Sequence, residues 1–154
     1  MHSASTDKTK VRSDSQVPGF QLRIVMPSDP RFLPVVRTTI GQLAVVLGGG
    51  EEESRATMLA VDEALTNVIR HAYQGEPDRP IKLICGVRSL SLDIRIIDQG
   101  LAPNITRICA CDPSLPEPGG RGTHIIKAVM DVVSYERTGE GNQLRLRKEF
   151  GKPA

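Results

Sequence analysis

Hydrophobic positions alternate with polar ones in some segments of the chain and recur at steps of three and four in others. Alternation over FQLRIVM predicts a first strand that ends at Pro27. The segments PIKLICGV and LSLDIRIID alternate in the same way and predict a hairpin with one buried and one wet face, joined at Arg88 and Ser89. Two more strands around a Gly-containing turn are predicted in VVSYERTGEGNQLRLRKEF. Five strands are therefore expected.

Helical spacing predicts three amphipathic helices between these strands. The first is expected to begin near Ser28 or Asp29 and to end at the glycines 48–50, and the second to run from about Glu51 to Tyr73. The third lies in THIIKAVMDVV. The buried stripe of the first helix is predicted to contain Phe32, Val36, Ile40, Leu43 and Leu47. This order of elements predicts an α/β fold, a two-layer sandwich in which three helices cover one face of a mixed, mainly antiparallel five-stranded sheet.

Composition adds a domain division and excludes several classes of function. The 154 residues are 39% hydrophobic and 25% charged, which is typical of one globular domain. Residues 1–18 have little to bury and are expected to form a disordered polar arm, which leaves residues 19–150 as the domain. A net charge of +2 with 3% aromatic residues argues against direct binding of nucleic acid. The apolar segments are too short to span a membrane, so a cytoplasmic protein is expected.

A row of polar residues on the second predicted helix is the first candidate for chemistry. Glu63, Asn67 and His71 recur at steps of four and therefore share one face. A carboxylate and an amide oxygen one turn apart could place a base beside Mg²⁺, which takes oxygen ligands. A solvated helix face explains the same row, although Asn is a poor helix former and an unusual choice for a free surface position. Spacing alone leaves both interpretations open.

Two glycine-containing segments are further candidates. Asp98 and Gly100 follow the hairpin directly, where a carboxylate could accept a hydrogen bond from an exocyclic amine and the glycine could let a flat ring approach. Loop capping is the alternative role for this Asp. Gly119, Gly120 and Gly122 open the third helix, where backbone N–H groups and the helix dipole favour an anion, although a flexible hinge explains them equally well. The long irregular stretch between the two segments is predicted to be a loop, either a functional lid or a disordered segment.

The order of these segments resembles the ATP-binding domain shared by gyrase, the ninety-kilodalton heat-shock chaperone, histidine kinases and MutL, which has a Bergerat-type fold. It resembles more closely the anti-sigma-factor serine kinases of bacterial partner-switching systems. LAVDEALTNVIRHAY, IIDQG and GGRGTHIIKAVMDVVSYER look like the three boxes of that family, and the likeness runs from about Pro27 to Lys148. The chain departs from the family at Thr123 and His124, which replace a Leu and an aromatic residue, and at Asn142, where many relatives have Thr.

The resemblance implies ATP and Mg²⁺ as ligands and assigns roles to particular residues. Glu63 would orient or deprotonate the attacking hydroxyl, Asn67 would hold Mg²⁺, and Asp98 would read the adenine amine. Arg37 is implied as a second catalytic residue. Contacts with the base and the phosphates are implied for His71, Gly100, Gly119, Gly120, Arg121, Gly122 and Thr123.

The function that the resemblance implies is that of a protein serine/threonine kinase and anti-sigma factor. Such a protein phosphorylates an anti-anti-sigma factor on Ser and sequesters a sigma factor, and members of the family form homodimers. The alternative is an ATP-gated protein-binding module of the same fold with little or no catalysis, because function depends on the site rather than on the architecture. Separate measurements of ATP affinity and turnover would distinguish the two.

Overall fold

The computed structural model describes residues 19–103 and 121–151, and this part of the chain contains five strands and three α-helices. The strands are β1 (Phe20–Pro27), β2 (Pro80–Arg88), β3 (Ser91–Asp98), β4 (Val132–Thr138) and β5 (Gly141–Glu149). The helices are α1 (Leu33–Val46), α2 (Glu51–Asn67) and α3 (Arg121–Val129). The predicted arm and the central part of the predicted loop, residues 104–120, lie outside the described residues, so the division at residue 18 stays a prediction.

The sheet has the strand order β1-β2-β3-β5-β4. The two predicted hairpins, β2–β3 and β4–β5, lie side by side and are joined through β3 and β5. This pairing places Asp98 at the end of β3 directly opposite Asn142 at the start of β5. The predicted two-layer α/β fold is confirmed, and every strand pair within the described residues is antiparallel.

A short 3₁₀ turn, Pro30–Phe32, leads into α1 and changes its register. Asp29 caps this turn, since its Oδ1 accepts a hydrogen bond of 2.9 Å from the backbone N–H of Arg31. A 3₁₀ turn has fewer residues than an α turn, so Leu33 rather than Phe32 begins the buried stripe. The predicted burial of Phe32 is wrong, because its side chain is 43% exposed.

The second helix widens where the sequence predicted that it would continue regularly. The α-helix ends at Asn67, and Val68–Ala72 forms a π turn that is closed by a 3.0 Å hydrogen bond from Tyr73 N–H to the carbonyl of Val68. A π turn holds one more residue than an α turn, and such turns are frequent at functional sites. The prediction of a regular helix to Tyr73 is therefore wrong in its last turn, where His71 is exposed.

The core lies between the helices and one face of the sheet. Alternate residues of β2 and β3 are buried against α1 and α2, in agreement with the predicted alternation: Ile81, Leu83, Cys85, Val87, Leu92, Ile94 and Ile96. The opposite face is polar, with an ion pair between Arg145 and Asp93, although Ile84 and Ile97 are also buried there. Across residues 19–103 and 121–151, no helix has the length and apolar character needed to cross a membrane.

Candidate functional site

The carboxylate of Glu63 on α2 lies against the first turn of α3. A Cβ atom added to Gly122 would lie 2.6 Å from Oε2 of Glu63, so the carboxylate and the start of the helix are in close contact. The first N–H groups of any helix lack partners within the helix, and the helix dipole makes this end positive. The fold therefore brings the candidate base of the second helix to the candidate anion site at the start of the third.

Asn67 lies one turn further along α2, on the same face as Glu63 and partly exposed. Its amide makes no hydrogen bond to another described residue, so the oxygen is available to a ligand. An amide oxygen in this position matches the preference of Mg²⁺ for oxygen ligands, and Mg²⁺ needs few ligands from the protein. The donor set fits the ion that the sequence predicted.

The predicted phosphate-binding residues around Gly122 are only partly described by the structure. Arg121 is the first residue of α3, and Thr123 follows Gly122 in the same turn and is half-buried. Gly119 and Gly120 lie outside the described residues. Of these residues, only those at the start of α3 have a known position relative to Glu63.

Asp98 is buried at the end of β3, with 6% of its surface exposed. Its Oδ1 accepts hydrogen bonds from the backbone N–H of Gly100 at 2.9 Å and from Nδ2 of Asn142 at 2.8 Å. Among the described residues, both hydrogen bonds that reach this carboxylate go to Oδ1. Oδ2 therefore keeps its acceptor capacity for a donor from a ligand.

The turn after Asp98 is fixed to the end of the π turn. A Cβ atom on Gly100 would lie 2.3 Å from the carbonyl oxygen of Ala72, so only glycine allows this approach of two backbones. The N–H of Leu101 donates to the same carbonyl at 2.9 Å. Asp98 is therefore held in place relative to α2, which also carries Glu63 and Asn67.

Tyr73 is a structural part of the site that the sequence predicted only as the end of a helix. Its hydroxyl donates to the carbonyl of Pro80 and accepts a 2.8 Å hydrogen bond from the N–H of Gln99. Burial, together with the nearby charge of Asp98, raises the pKa of Tyr73, although the Gln99 N–H and Arg79 act in the opposite direction, so the hydroxyl stays protonated and keeps its donor role at neutral pH. Gln99 is 26 residues away in sequence, and no spacing rule connects the two.

Arg37 on α1 pairs with Asp62 rather than with Glu63. Its Nη2 and Nε lie 2.9 and 3.2 Å from Oδ1 of Asp62. Asp62 had no role in the sequence analysis, and the structure gives it this partner. The Arg37 side chain is 44% exposed, so the pair contributes only about 0–1 kcal/mol to stability. Arg37 is thus paired with the residue that precedes the candidate base in sequence.

These contacts arrange the site along α2. One end of the site is the candidate anion site at Glu63 and Gly122, and the other end is Asp98, whose turn contacts Ala72. Nine residues of helix, or about 13 Å, separate the two ends. Such a site can hold an elongated ligand with an anionic end beside α3 and a flat polar end beside Asp98.

Comparison with known protein families identifies the family of the domain. The profile of the histidine kinase-like ATPase domain matches residues 26–148, which include α2, the Asp98 turn and α3. The chain belongs to this family. The predicted family resemblance is confirmed, and the histidine kinase-like ATPase fold accounts for the sheet covered by three helices.

Relatives of this ATPase domain include proteins named as kinases. The serine-protein kinase RsbW of Bacillus licheniformis is 28% identical over 118 residues, 71% of this chain and 74% of the relative. The serine-protein kinase RsbW of Oceanobacillus iheyensis is 29% identical over 120 residues, 73% and 76% of the two chains. A solved histidine kinase domain, from the Erythrobacter litoralis EL346 blue-light activated histidine kinase, is 20% identical with a TM-score of 0.47; the match covers 79% of this chain and 60% of that chain.

Proposed function

We propose that the protein is a serine kinase and anti-sigma factor. It binds Mg-ATP along α2, transfers the γ-phosphoryl group to a Ser of an anti-anti-sigma factor, and sequesters a sigma factor when that partner is not available. The observation that carries the proposal is the Glu63 carboxylate against Gly122, because it puts a base where the start of a helix can receive phosphates. The similarity to serine-protein kinases RsbW supports the same class of reaction.

The proposed orientation of the nucleotide follows from the two ends of the site. Oδ2 of Asp98 accepts the hydrogen bond of the adenine amine, and the hydrogen bond from the N–H of Gly100 holds Oδ1 of the same carboxylate. The phosphates extend along α2 toward the start of α3. The residues proposed to border them are His71, Gly119, Gly120, Arg121, Gly122 and Thr123.

Asn67 is the proposed ligand of Mg²⁺ through its side-chain oxygen. When bound, the ion would neutralise part of the phosphate charge. Two features support this role: the amide of Asn67 has no hydrogen-bond partner among the described residues, and it lies one turn from Glu63. A single protein ligand suffices when waters and phosphates complete the shell.

Glu63 is the proposed general base. Its carboxylate accepts the proton of the substrate Ser hydroxyl while that oxygen forms a bond to the γ-phosphorus, and the bond to the bridging oxygen breaks to release ADP. Arg37, beside Asp62 on the neighbouring helix, is the proposed source of positive charge near the transferred group. Positioning and charge neutralisation are the main requirements of phosphoryl transfer.

The proposal extends to the setting in which the protein works. We propose a cytoplasmic homodimer that acts on protein partners and not on nucleic acid. The small net charge of +2 supports the last point, because nucleic-acid binding relies on many cationic contacts.

Titration of the protein with ATP, with and without Mg²⁺, followed by incubation with an anti-anti-sigma factor, tests the function. Calorimetry measures the affinity and mass spectrometry measures phosphoserine. Mg²⁺-dependent binding with transfer to Ser is the expected result. Binding without transfer to any anti-anti-sigma factor would favour the ATP-gated module, and absence of binding would contradict both.

The substitution Asp98→Asn is expected to weaken ATP binding by about 10- to 100-fold, since it removes a hydrogen bond to a charged acceptor. The oxygen of the new amide would keep the bonds from Gly100 and Asn142, so the amide N–H₂ would replace Oδ2 and face the adenine amine, donor against donor. Calorimetry with ATP and with inosine triphosphate, which has an oxygen in place of that amine, measures the effect. Inosine triphosphate should lose less affinity than ATP, and equal losses would contradict base reading by Asp98.

A further inference from the structure

Asn142 is a buried amide whose Nδ2 hydrogen bonds converge on Asp98 and the turn that follows it. Its Nδ2 lies 2.8 Å from Oδ1 of Asp98, 3.0 Å from the carbonyl of Leu101 and 3.2 Å from the carbonyl of Gly100. Its Oδ1 accepts a 2.7 Å hydrogen bond from the hydroxyl of Tyr135. Only 2% of Asn142 is exposed, so these bonds are shielded from competition with water.

The chemistry of these partners fixes the orientation of the amide. Three oxygen acceptors face one side of Asn142, and only the N–H₂ side can serve them, with its two N–H groups shared among the three. The hydroxyl of Tyr135 supplies the donor that the opposite side needs. Burial, together with the charge of Asp98, raises the pKa of Tyr135, so the hydroxyl keeps its proton at neutral pH. A threonine, with one hydroxyl donor, could not serve the three acceptors together.

We propose that Asn142, oriented by Tyr135, is a positioning residue for base selectivity. It holds Oδ1 of Asp98 and thereby aims Oδ2 at the exocyclic amine of the nucleotide, without touching the base itself. The inference rests on the proposed role of Asp98 as the reader of that amine. Asn142 thus affects nucleotide selectivity by positioning the Asp98 carboxylate, not by contact with the nucleotide.

The ratio of the affinities for ATP and inosine triphosphate is the readout, because a role limited to stability would not change it. The wild type is expected to prefer ATP by about 10- to 100-fold. Asn142→Ala should reduce this ratio at least about fivefold, since Asp98 loses one of its two hydrogen bonds to Oδ1. Tyr135→Phe should reduce it by a smaller factor of about two or more, because the amide of Asn142 loses its orienting donor.

Gln143→Ala is the matched control. Gln143 is next to Asn142 on β5, but its side chain is on the opposite face of the sheet, where it donates to Glu136. Its substitution should leave the ratio unchanged. Calorimetry measures the affinity of each variant for both nucleotides, and thermal unfolding identifies any variant that fails to fold.

The outcomes separate this inference from the proposed function. A wild-type ratio near one would contradict base reading by Asp98. A high wild-type ratio that persists in both Asn142→Ala and Tyr135→Phe would overturn the role of Asn142 and leave the function intact. If Asn142→Ala does not fold, Tyr135→Phe decides alone: a reduced ratio supports the role and an unchanged ratio refutes it.

Discussion

Replacement of Glu63 by glutamine is expected to reduce phosphoryl transfer by about 10²- to 10⁴-fold, the usual contribution of a general base. The Glu63→Gln side chain would keep the size of the original and its approach to Gly122, but an amide cannot accept the proton of the substrate hydroxyl. ATP affinity should change little, because the base acts on the substrate Ser. Single-turnover formation of phosphoserine at saturating Mg-ATP measures the effect on the chemical step.

Glu52→Gln provides the matched control for this prediction. Glu52 is an exposed residue in the first turn of the same helix, far along α2 from Glu63, and the substitution makes the same chemical change. Its rate of transfer should equal that of the wild type. Undiminished transfer by Glu63→Gln would remove Glu63 from the role of base. A loss confined to ATP affinity would instead assign it to ground-state binding.

Gly141→Ala is expected to lower the free energy of unfolding by about 3 kcal/mol or more, since it combines overpacking with backbone strain. Gly141 has φ +120°, and a Cβ atom there would lie 2.2 Å from the carbonyl oxygen of Asp98. The contact is with backbone, so no side chain can rotate away to relieve it. Equilibrium unfolding in urea, with the slope compared between variants, measures the change.

Gly139→Ala separates this effect from the general cost of altering the β4–β5 turn. Gly139 lies in the same turn, its φ is outside the left-handed region, and nothing among the described residues lies within 4 Å of its Cβ position. Its substitution should change stability by no more than about 0.5 kcal/mol. Equal stability of Gly141→Ala and the wild type would show that β5 can shift away from Asp98, and would contradict a rigid junction between the two strands.

Most of the fold could be predicted from sequence because the buried face of each element is a local property. The alternation in β2 and β3 and the three-and-four spacing in α2 identify those faces without knowledge of any partner. The errors at Phe32 and in the last turn of the second predicted helix have a common cause. A 3₁₀ turn before α1 and a π turn after α2 change the number of residues per turn, and the hydrophobic pattern does not record that change.

The candidate site was predictable only where its residues are close in sequence. The four-residue step identified Glu63 and Asn67, and glycine before a helix identified the start of α3. The hydrogen bonds among Tyr135, Asn142 and Asp98 were not predictable. They depend on the register of β5 against β3, which brings together residues 44 positions apart. Long-range register is set by packing of the whole sheet rather than by any short segment.

The second helix and its π turn connect the two ends of the site, because Ala72 at the end of that turn contacts the residues after Asp98. Through Leu101 and the close approach of Gly100, this carbonyl couples the last turn of the helix to the turn that carries Asp98. The distance between the two ends of the site therefore depends on the length of helix that joins Glu63 to Ala72.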